Sequence, residues 1–279
     1  MKNLKFTKMQ GAGNDYIYIN GFSETVENPS ELAIRLSNRH VGIGADGLVL
    51  ILPSSVADFR MQMFNSDGSE AEMCGNASRC VGKYVFDKGL TSKKEITLET
   101  KAGIKYITLL EGNAKGRQVR VDMGEPIWDP QLIPVNLPFS PILKYPLEIE
   151  GTGWEITCVS LGNPHAVVFT TDIKDLDLRF WGPKLENHVL FPQKTNTEFI
   201  EIIDRNTIKM RVWERGAGET QACGTGACAA VAAGVLNKLT DRKVKVQLLG
   251  GELEIEWNEA DNRIYMTGEA VTVFEGTMV

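Results

Sequence analysis

Apolar and polar residues alternate along most of the chain, and the alternation predicts strands. Asp15-Tyr16-Ile17-Tyr18-Ile19, Gly47-Leu48-Val49-Leu50-Ile51, Phe59-Arg60-Met61-Gln62-Met63-Phe64 and Ile96-Thr97-Leu98-Glu99-Thr100 read this way. So do Gln118-Val119-Arg120-Val121, Ala166-Val167-Val168-Phe169, Ile208-Lys209-Met210-Arg211-Val212-Trp213 and Val244-Lys245-Val246-Gln247-Leu248. Helical spacing is rarer. Ser30 ahead of Glu31-Leu32-Ala33-Ile34-Arg35-Leu36 predicts a capped helix. The run from Gly75 to Lys88 places Val81, Tyr84 and Val85 at helical spacing, and the run from Gly224 to Lys238 is Ala-rich and apolar all round. A helix of the second kind belongs inside its domain. The expected fold is α+β: two pseudo-symmetric domains, each a curved, mostly antiparallel, barrel-like sheet around one central helix.

The pattern repeats. Gly68-Ser69-Glu70-Ala71-Glu72-Met73-Cys74-Gly75-Asn76 returns as Ala217-Gly218-Glu219-Thr220-Gln221-Ala222-Cys223-Gly224-Thr225, an offset of 149 residues from Cys74 to Cys223. The same offset carries Gly13-Asn14 onto Gly162-Asn163, Phe64-Asn65 onto Trp213-Glu214, Met9 onto Cys158 and Gly47 onto Asn196. After the central helix the offset becomes 148, taking Gly103 to Gly251. Residues 118–149 have no partner and hold Pro126, Pro130, Pro134, Pro138, Pro141 and Pro146, which predicts an irregular crossover. The boundary is placed near 122. Residues 1–122, closed by a C-terminal strand over 268–279, form one half, and residues 123–267 form the other.

At 279 residues the chain has room for two domains, and 43% hydrophobic with 24% charged residues is ordinary globular composition. The net charge of −6, with no basic block, argues against a nucleic-acid partner, and no apolar run predicts a membrane span. Met1-Lys2-Asn3-Leu4-Lys5-Phe6 turns polar at Thr7-Lys8 and does not read as a signal peptide, so the expected location is cytoplasmic. Five cysteines, Cys74, Cys80, Cys158, Cys223 and Cys228, make an odd set without metal-ligand spacing, and His40, His165 and His188 are scattered. No metal and no cofactor is expected. The oligomeric state is left open, a homodimer being the one entertained.

Chemistry is expected where the repeat is strictest. A cysteine at a helix start sits at the positive end of the helix dipole among unpaired N–H groups, which favours thiolate. The glycine after each cysteine lets a ligand approach the backbone. Gly75-Asn76 and Gly224-Thr225 then offer two donor sets for a carboxylate. Two such cysteines could take a proton from one face of a carbon and return it to the other, as a cofactor-free racemase or epimerase requires. Cys80, Cys158 and Cys228 read as packing residues. Asn14 and Asn163 read equally as turn residues or as polar pocket walls. His165 reads as a core or supporting residue. Glu214-Arg215 stands where the first half has Asn65-Ser66, so the repeat breaks its symmetry there. A site that holds an ammonium and a carboxylate at one end only would break in this way.

These residues resemble the diaminopimelate epimerase family. The likeness runs through Lys8-Met9-Gln10-Gly11-Ala12-Gly13-Asn14-Asp15-Tyr16, Gly42-Ile43-Gly44-Ala45-Asp46-Gly47 and Phe64-Asn65-Ser66-Asp67-Gly68-Ser69-Glu70. It continues through Met73-Cys74-Gly75-Asn76 with Arg79-Cys80, Leu161-Gly162-Asn163-Pro164-His165, Trp213-Glu214-Arg215-Gly216, Gly218-Glu219-Thr220 and Ala222-Cys223-Gly224-Thr225-Gly226. The resemblance implies a PLP-independent two-base interconversion of L,L- and meso-diaminopimelate, for lysine and peptidoglycan synthesis. It implies that Cys74 works on the L,L face and Cys223 on the meso face. It implies substrate binding by Asn14, Asn65, Asn163, Asn196, Glu214 and Arg215, with the backbone of Gly75-Asn76 and Gly224-Thr225 holding the α-carboxylate.

The chain departs from the family twice. Some members carry glutamine where this chain has Gly47, so a side-chain contact to substrate is expected to be missing or replaced by water. Many carry glycine where this chain has Ala77. Among neighbouring families, proline racemases typically carry Cys-Gly-His in the first motif, which Asn76 opposes. Phenazine-pathway isomerases do not need both cysteines. Histidine racemases of this fold have no use for the Glu214-Arg215 pair. A non-enzymatic amino-acid-binding protein would not need the cysteine pair.

Overall fold

The computed structural model describes residues 3–278; Met1 and Lys2 of the opening stretch and Val279 of the closing strand lie outside the described residues. The strands of the first half are β1 (Lys5–Gly11), β2 (Asn14–Asn20), β3 (Gly47–Leu52), β4 (Phe59–Asn65), β5 (Glu70–Ala71), β6 (Glu95–Thr100), β7 (Gly103–Gly112) and β8 (Gly116–Gly124). Two helices lie among them, α1 (Pro29–Ser37) and α2 (Gly75–Asp87). The second half follows with β9 (Tyr145–Ile149), β10 (Thr152–Ser160), β11 (Pro164–Phe169), α3 (Leu178–Glu186), β12 (Asn196–Asp204), β13 (Thr207–Glu214) and β14 (Gly218–Glu219). Then come α4 (Gly224–Leu236), β15 (Lys243–Leu248), β16 (Gly251–Trp257) and β17 (Ile264–Thr277).

The chain divides into two compact units. One runs to Asp122 and resumes at Thr267; the other is Met123–Met266. In the first, neighbouring strands pair in the order β1-β2-β3-β4-β6-β7-β8, and β17 pairs with both β8 and β1, which closes a barrel. Helix α2 packs against β1, β2 and β7, and Gly75 through Val85 are all buried. Closure gives both end strands of the series, β1 and β8, a partner in β17. In the second unit the pairing runs β9-β10-β11-β12-β13-β15-β16, with α4 against β10, β11, β12, β15 and β16. Most pairs are antiparallel. The parallel ones, β2–β3 and β4–β6, recur as β11–β12 and β13–β15.

The parallel pairs explain the most apolar strands. On β2 and β3, Ile17, Ile19, Leu48 and Leu50 join Leu32 and Leu36 of α1 in one core. The alternate residues turn the other way, and the Tyr18 hydroxyl donates to Ala77 O of α2 at 3.5 Å. A strand covered on both faces needs apolar residues at consecutive positions, as Gly47–Leu52 shows. The second unit repeats this arrangement, with Ile156, Cys158, Ala166, Val168 and Phe199 packed with Leu178 and Leu185 of α3.

Several expectations change. Ser30 does not cap α1. The helix begins at Pro29 with Asn28 at the cap position, and the Ser30 hydroxyl instead donates to Gly68 O at 2.7 Å. Proline suits a helix's first turn because its missing N–H would be unpaired there in any case. The crossover is not wholly irregular, for it contains β9, whose Pro146 lies opposite Glu155 of β10. Helix α3 was not anticipated. Gly182-Pro183 within it reads as a breaker, yet a Cβ on Gly182 would lie 2.2 Å from the Trp213 ring, so glycine lets this helix seat on β13.

Candidate active site

In each unit a strand–turn–helix segment presents one cysteine. Cys74 is the N-cap of α2 and Cys223 the N-cap of α4, both in extended conformation (φ −136° and −122°). Extended backbone at this position turns the side chain back over the first helical turn, among N–H groups without intrahelical partners. Cys223 Sγ accepts from Gly226 N at 3.4 Å and lies 3.5 Å from Thr225 Oγ1. Cys74 is half-buried, and the Tyr16 hydroxyl donates to its sulfur at 3.8 Å.

The two asparagines of the repeat follow the left-handed glycines Gly13 and Gly162 (φ 87° and 96°). Glycine takes the positive φ at no steric cost, which leaves each asparagine side chain free to serve the site. Asn14 Oδ1 accepts from Asn76 Nδ2, while its own Nδ2 donates to Asp46 Oδ2 at 3.3 Å. Behind it Arg39 bridges Asp15 (2.7 Å) and Asp46 (2.8 Å), and Lys8 pairs with Asp15 at 2.8 Å. Burial alone would raise the Asp15 carboxyl, but Arg39 and Lys8 hold it below its ordinary value. In the second unit Asn163 Nδ2 donates to Thr225 Oγ1 at 3.3 Å, and Asn163 Oδ1 lies 3.0 Å from His165 Nε2. His165 Nδ1 in turn lies 2.6 Å from Glu198 Oε1, with both side chains fully buried.

Asn196 opens β12, where its Nδ2 donates to Pro164 O (2.7 Å) and its Oδ1 accepts from Arg215 N (2.9 Å). Glu214 ends β13 and accepts from the Thr220 hydroxyl. The Arg215 side chain is exposed, and its Nη1 donates to Gln193 O at 3.1 Å. Asn65 ends β4, donates to Ser69 Oγ at 3.0 Å, and makes none of the asparagine contacts above. The second unit therefore gathers Cys223, Thr225, Asn163 and His165 into one network, with Glu198 behind it. The first gathers Cys74 with Tyr16, and Asn14 with Asn76 and Asp46.

One finding departs from expectation. Burial, with the carboxylates of Glu214 and Glu198 nearby, pushes the Cys223 thiol well above its ordinary value, so the fall expected from the helix end alone does not occur there. Burial likewise raises Glu214, against the hydrogen bonds from Thr220 and Cys223. Gly47 is buried opposite Asn65, and a Cβ there would lie 2.1 Å from Phe64 O. A side chain here requires the main chain at Phe64 to shift. Glu198 and Tyr16 were missed as site residues, although the repeat held the signal: its offset of 149 sets Glu198 against Val49 and His165 against Tyr16. Among the described residues no group of three or more His, Cys, Asp or Glu is arranged to hold a metal ion, and no helix is long and apolar enough to cross a membrane.

A family model for diaminopimelate epimerase matches residues 6–128 and 157–273. The chain is 62% identical over 273 residues to a diaminopimelate epimerase of Acetivibrio thermocellus, covering 98% of each. It is 58% identical over 273 residues to that of Methanococcus maripaludis, covering 98% of this chain and 99% of the relative. It is 50% identical over 274 residues to that of Moorella thermoacetica, covering 98% of each. Among solved structures it is similar to a phenazine biosynthesis protein of the PhzF family from Bacillus anthracis (TM-score 0.69, 17% identity, 100% of both chains). It is also similar to a probable proline racemase from Agrobacterium radiobacter with bound carbonate (TM-score 0.67, 16% identity, 99% of this chain and 93% of the other). At such identities these structures speak for the fold alone. The paired cysteine caps, their asparagines and the full-length similarity lead to one conclusion: the chain belongs to the diaminopimelate epimerase family.

Proposed function

We propose that the chain interconverts L,L- and meso-diaminopimelate without PLP, with Cys74 and Cys223 as the proton acceptor and donor at a single α-carbon. The observation that carries this reading is the recurrence of an N-cap cysteine followed by glycine on the central helix of each unit. Removing a weakly acidic α-proton demands that the barrier fall by roughly 10–20 kcal/mol, more than thiolate basicity can supply. The N–H groups at the starts of α2 and α4 can bind the α-carboxylate, and they bind it more strongly as the carbanion's charge spreads onto it. Burial and the two carboxylates keep the Cys223 thiol protonated, which suits it to donate. Asn14, Asn65, Asn163 and Asn196 are assigned to substrate binding, with Glu214 and Arg215 assigned to the second amino-acid head.

The test is incubation with L,L-diaminopimelate in D2O, followed by proton NMR and chiral chromatography. The expected result is deuterium at one α-carbon of the meso product. Absence of both exchange and inversion from either isomer would refute the assignment.

A further inference from the structure

Both ring nitrogens of His165 face oxygen acceptors, Nδ1 toward Glu198 Oε1 at 2.6 Å and Nε2 toward Asn163 Oδ1 at 3.0 Å. A neutral imidazole carries one N–H, and its other nitrogen only accepts. Two arrangements satisfy both contacts. An imidazolium can face the Glu198 carboxylate, or a protonated Glu198 can donate to Nδ1 while Nε2–H donates to Asn163. Each holds two protons on the pair, each is neutral overall, and each places a proton on Nε2. The alternative, an anionic Glu198 beside a neutral ring, is costly here. Both side chains are fully buried, and Glu198 Oε2 meets no hydrogen-bond partner among the described residues.

The rest of the network follows from that proton. With its carbonyl taken by His165, Asn163 presents its amide, and Nδ2 donates to Thr225 Oγ1 at 3.3 Å. A hydroxyl that accepts there has its own hydrogen free for Cys223 Sγ, 3.5 Å away. We propose that Glu198 and His165 form a positioning pair that holds two protons and orients a one-way chain of donors, from His165 through Asn163 and Thr225, onto the Cys223 sulfur. This rests on Cys223 being an acid–base group of the site. The groups facing that sulfur are then the carboxylates of Glu214 and Glu198, which disfavour thiolate, and the donors Thr225 and Gly226 N, which favour it. The same packing requires glycine at 226, where a Cβ would lie 2.7 Å from Glu198 Oε1 and 3.2 Å from Cys223 Sγ.

The other unit does this differently. Tyr16, the counterpart of His165, donates directly to Cys74 Sγ, and Val49 stands in place of Glu198. Asn14 is turned the opposite way, accepting from Asn76 and donating to Asp46. The repeat thus keeps both asparagines and reverses the sense of their hydrogen bonds.

The experiment is nitrogen-15 NMR of the histidine rings of the active enzyme, with His165→Phe identifying the His165 signals, alongside kcat/KM of wild type and variants. Wild type should show a protonated Nε2 throughout the pH range of full activity. In Glu198→Gln the amide donates to Nδ1 and keeps the proton on Nε2. This variant should keep at least about threefold more kcat/KM than His165→Phe, because Nδ1 still meets a donor. His165→Phe should lose roughly 10- to 100-fold, because the Asn163 carbonyl is left without its donor. An unprotonated Nε2 in the active wild type overturns the proposal. So does a Glu198→Gln variant as damaged as His165→Phe while its Nε2 remains protonated. An inactive wild type would strike at the epimerase reading instead, and the ring signals would still decide the state of the pair.

Discussion

The Tyr16 hydroxyl donates to Cys74 Sγ at 3.8 Å, and the repeat sets His165 at the position Tyr16 occupies. A single hydroxyl donor contributes about 0.5–1.5 kcal/mol. Tyr16→Phe should therefore lower kcat/KM by roughly 2- to 12-fold. It should also slow alkylation of Cys74 by iodoacetamide, because thiolate is the reactive form and has lost a donor. Unchanged alkylation would remove Tyr16 from the chemistry.

Cys74→Ala and Cys223→Ala should each abolish epimerisation, because inversion at one carbon needs an acceptor and a donor together. Cys80, Cys158 and Cys228 are buried, and Cys158 packs in the core beside α3. Alanine at any of these three should leave kcat within roughly tenfold while lowering stability. Full turnover by either of the first two variants would show that the acid–base pair lies elsewhere.

The buried thiols also set a pH limit on stability. Burial raises Cys80 to about 11, and burial together with the Glu198 charge raises Cys158 to about 12. In the unfolded chain a cysteine ionises near pH ~8.5. The folded state therefore keeps its protons where the unfolded state sheds them, so the contribution is complete below that pH and is lost as pH rises toward the folded values. Each thiol should cost about 1 kcal/mol between roughly pH 8.5 and 9.5. Denaturant unfolding at the two pH values should show Cys158→Ala losing about 1 kcal/mol less than wild type over that interval. An equal loss in both would contradict the assignment.

Gly47 bears on the pairing of β3 with β4. A Cβ there would lie 2.1 Å from Phe64 O, and main chain yields less readily than a flexible side chain. Gly47→Ala should destabilise the protein by about 1–3 kcal/mol, as overpacking does. It should also raise KM, because Asn65, opposite Gly47, is assigned to the substrate. Thermal unfolding and steady-state kinetics check both, and a neutral Gly47→Ala would mean that this backbone moves freely.

The cysteine caps were legible because they obey local rules: a strand, a glycine-bearing turn, then Cys-Gly at the head of a helix, twice at one offset. The strands were legible for the same reason. Helix α3 was not, because the Gly182-Pro183 signal is local whereas the packing of Gly182 on Trp213 is tertiary. Strand β9 was hidden by Pro146, although Leu147 and Ile149 are buried in it. Glu198 was hidden by its chemistry, since a lone glutamate in an alternating strand reads as a solvated position. It shares a strand face with buried Ile200, and its repeat partner is Val49, so a comparison of the two halves at that position would have exposed it. Ionisable residues that the fold buries in pairs become visible only when the partner, here His165, is known.

Arg215 lies in the turn after β13, with its backbone N–H fixed by Asn196 Oδ1 and its guanidinium exposed and reaching Gln193 O. Glu214 before it is half-buried and accepts from Thr220. In the proposed reaction the two cysteines play symmetric parts, but only one end of the substrate carries the second amino-acid head. The repeat is asymmetric at this place, with Asn65-Ser66 against Glu214-Arg215. A bidentate contact from Arg215 to the distal carboxylate should contribute on the order of 2–4 kcal/mol. Arg215→Ala should then lose roughly 30- to 1000-fold in kcat/KM for diaminopimelate. Part of the loss should appear in kcat, because binding at the distant end also positions the α-carbon. Wild type should discriminate against lysine, which lacks the distal carboxylate, and against histidine, and the variant should lose much of that discrimination. If the variant falls by less than about fivefold, or wild type turns over lysine as well as diaminopimelate, Arg215 does not read the second head group.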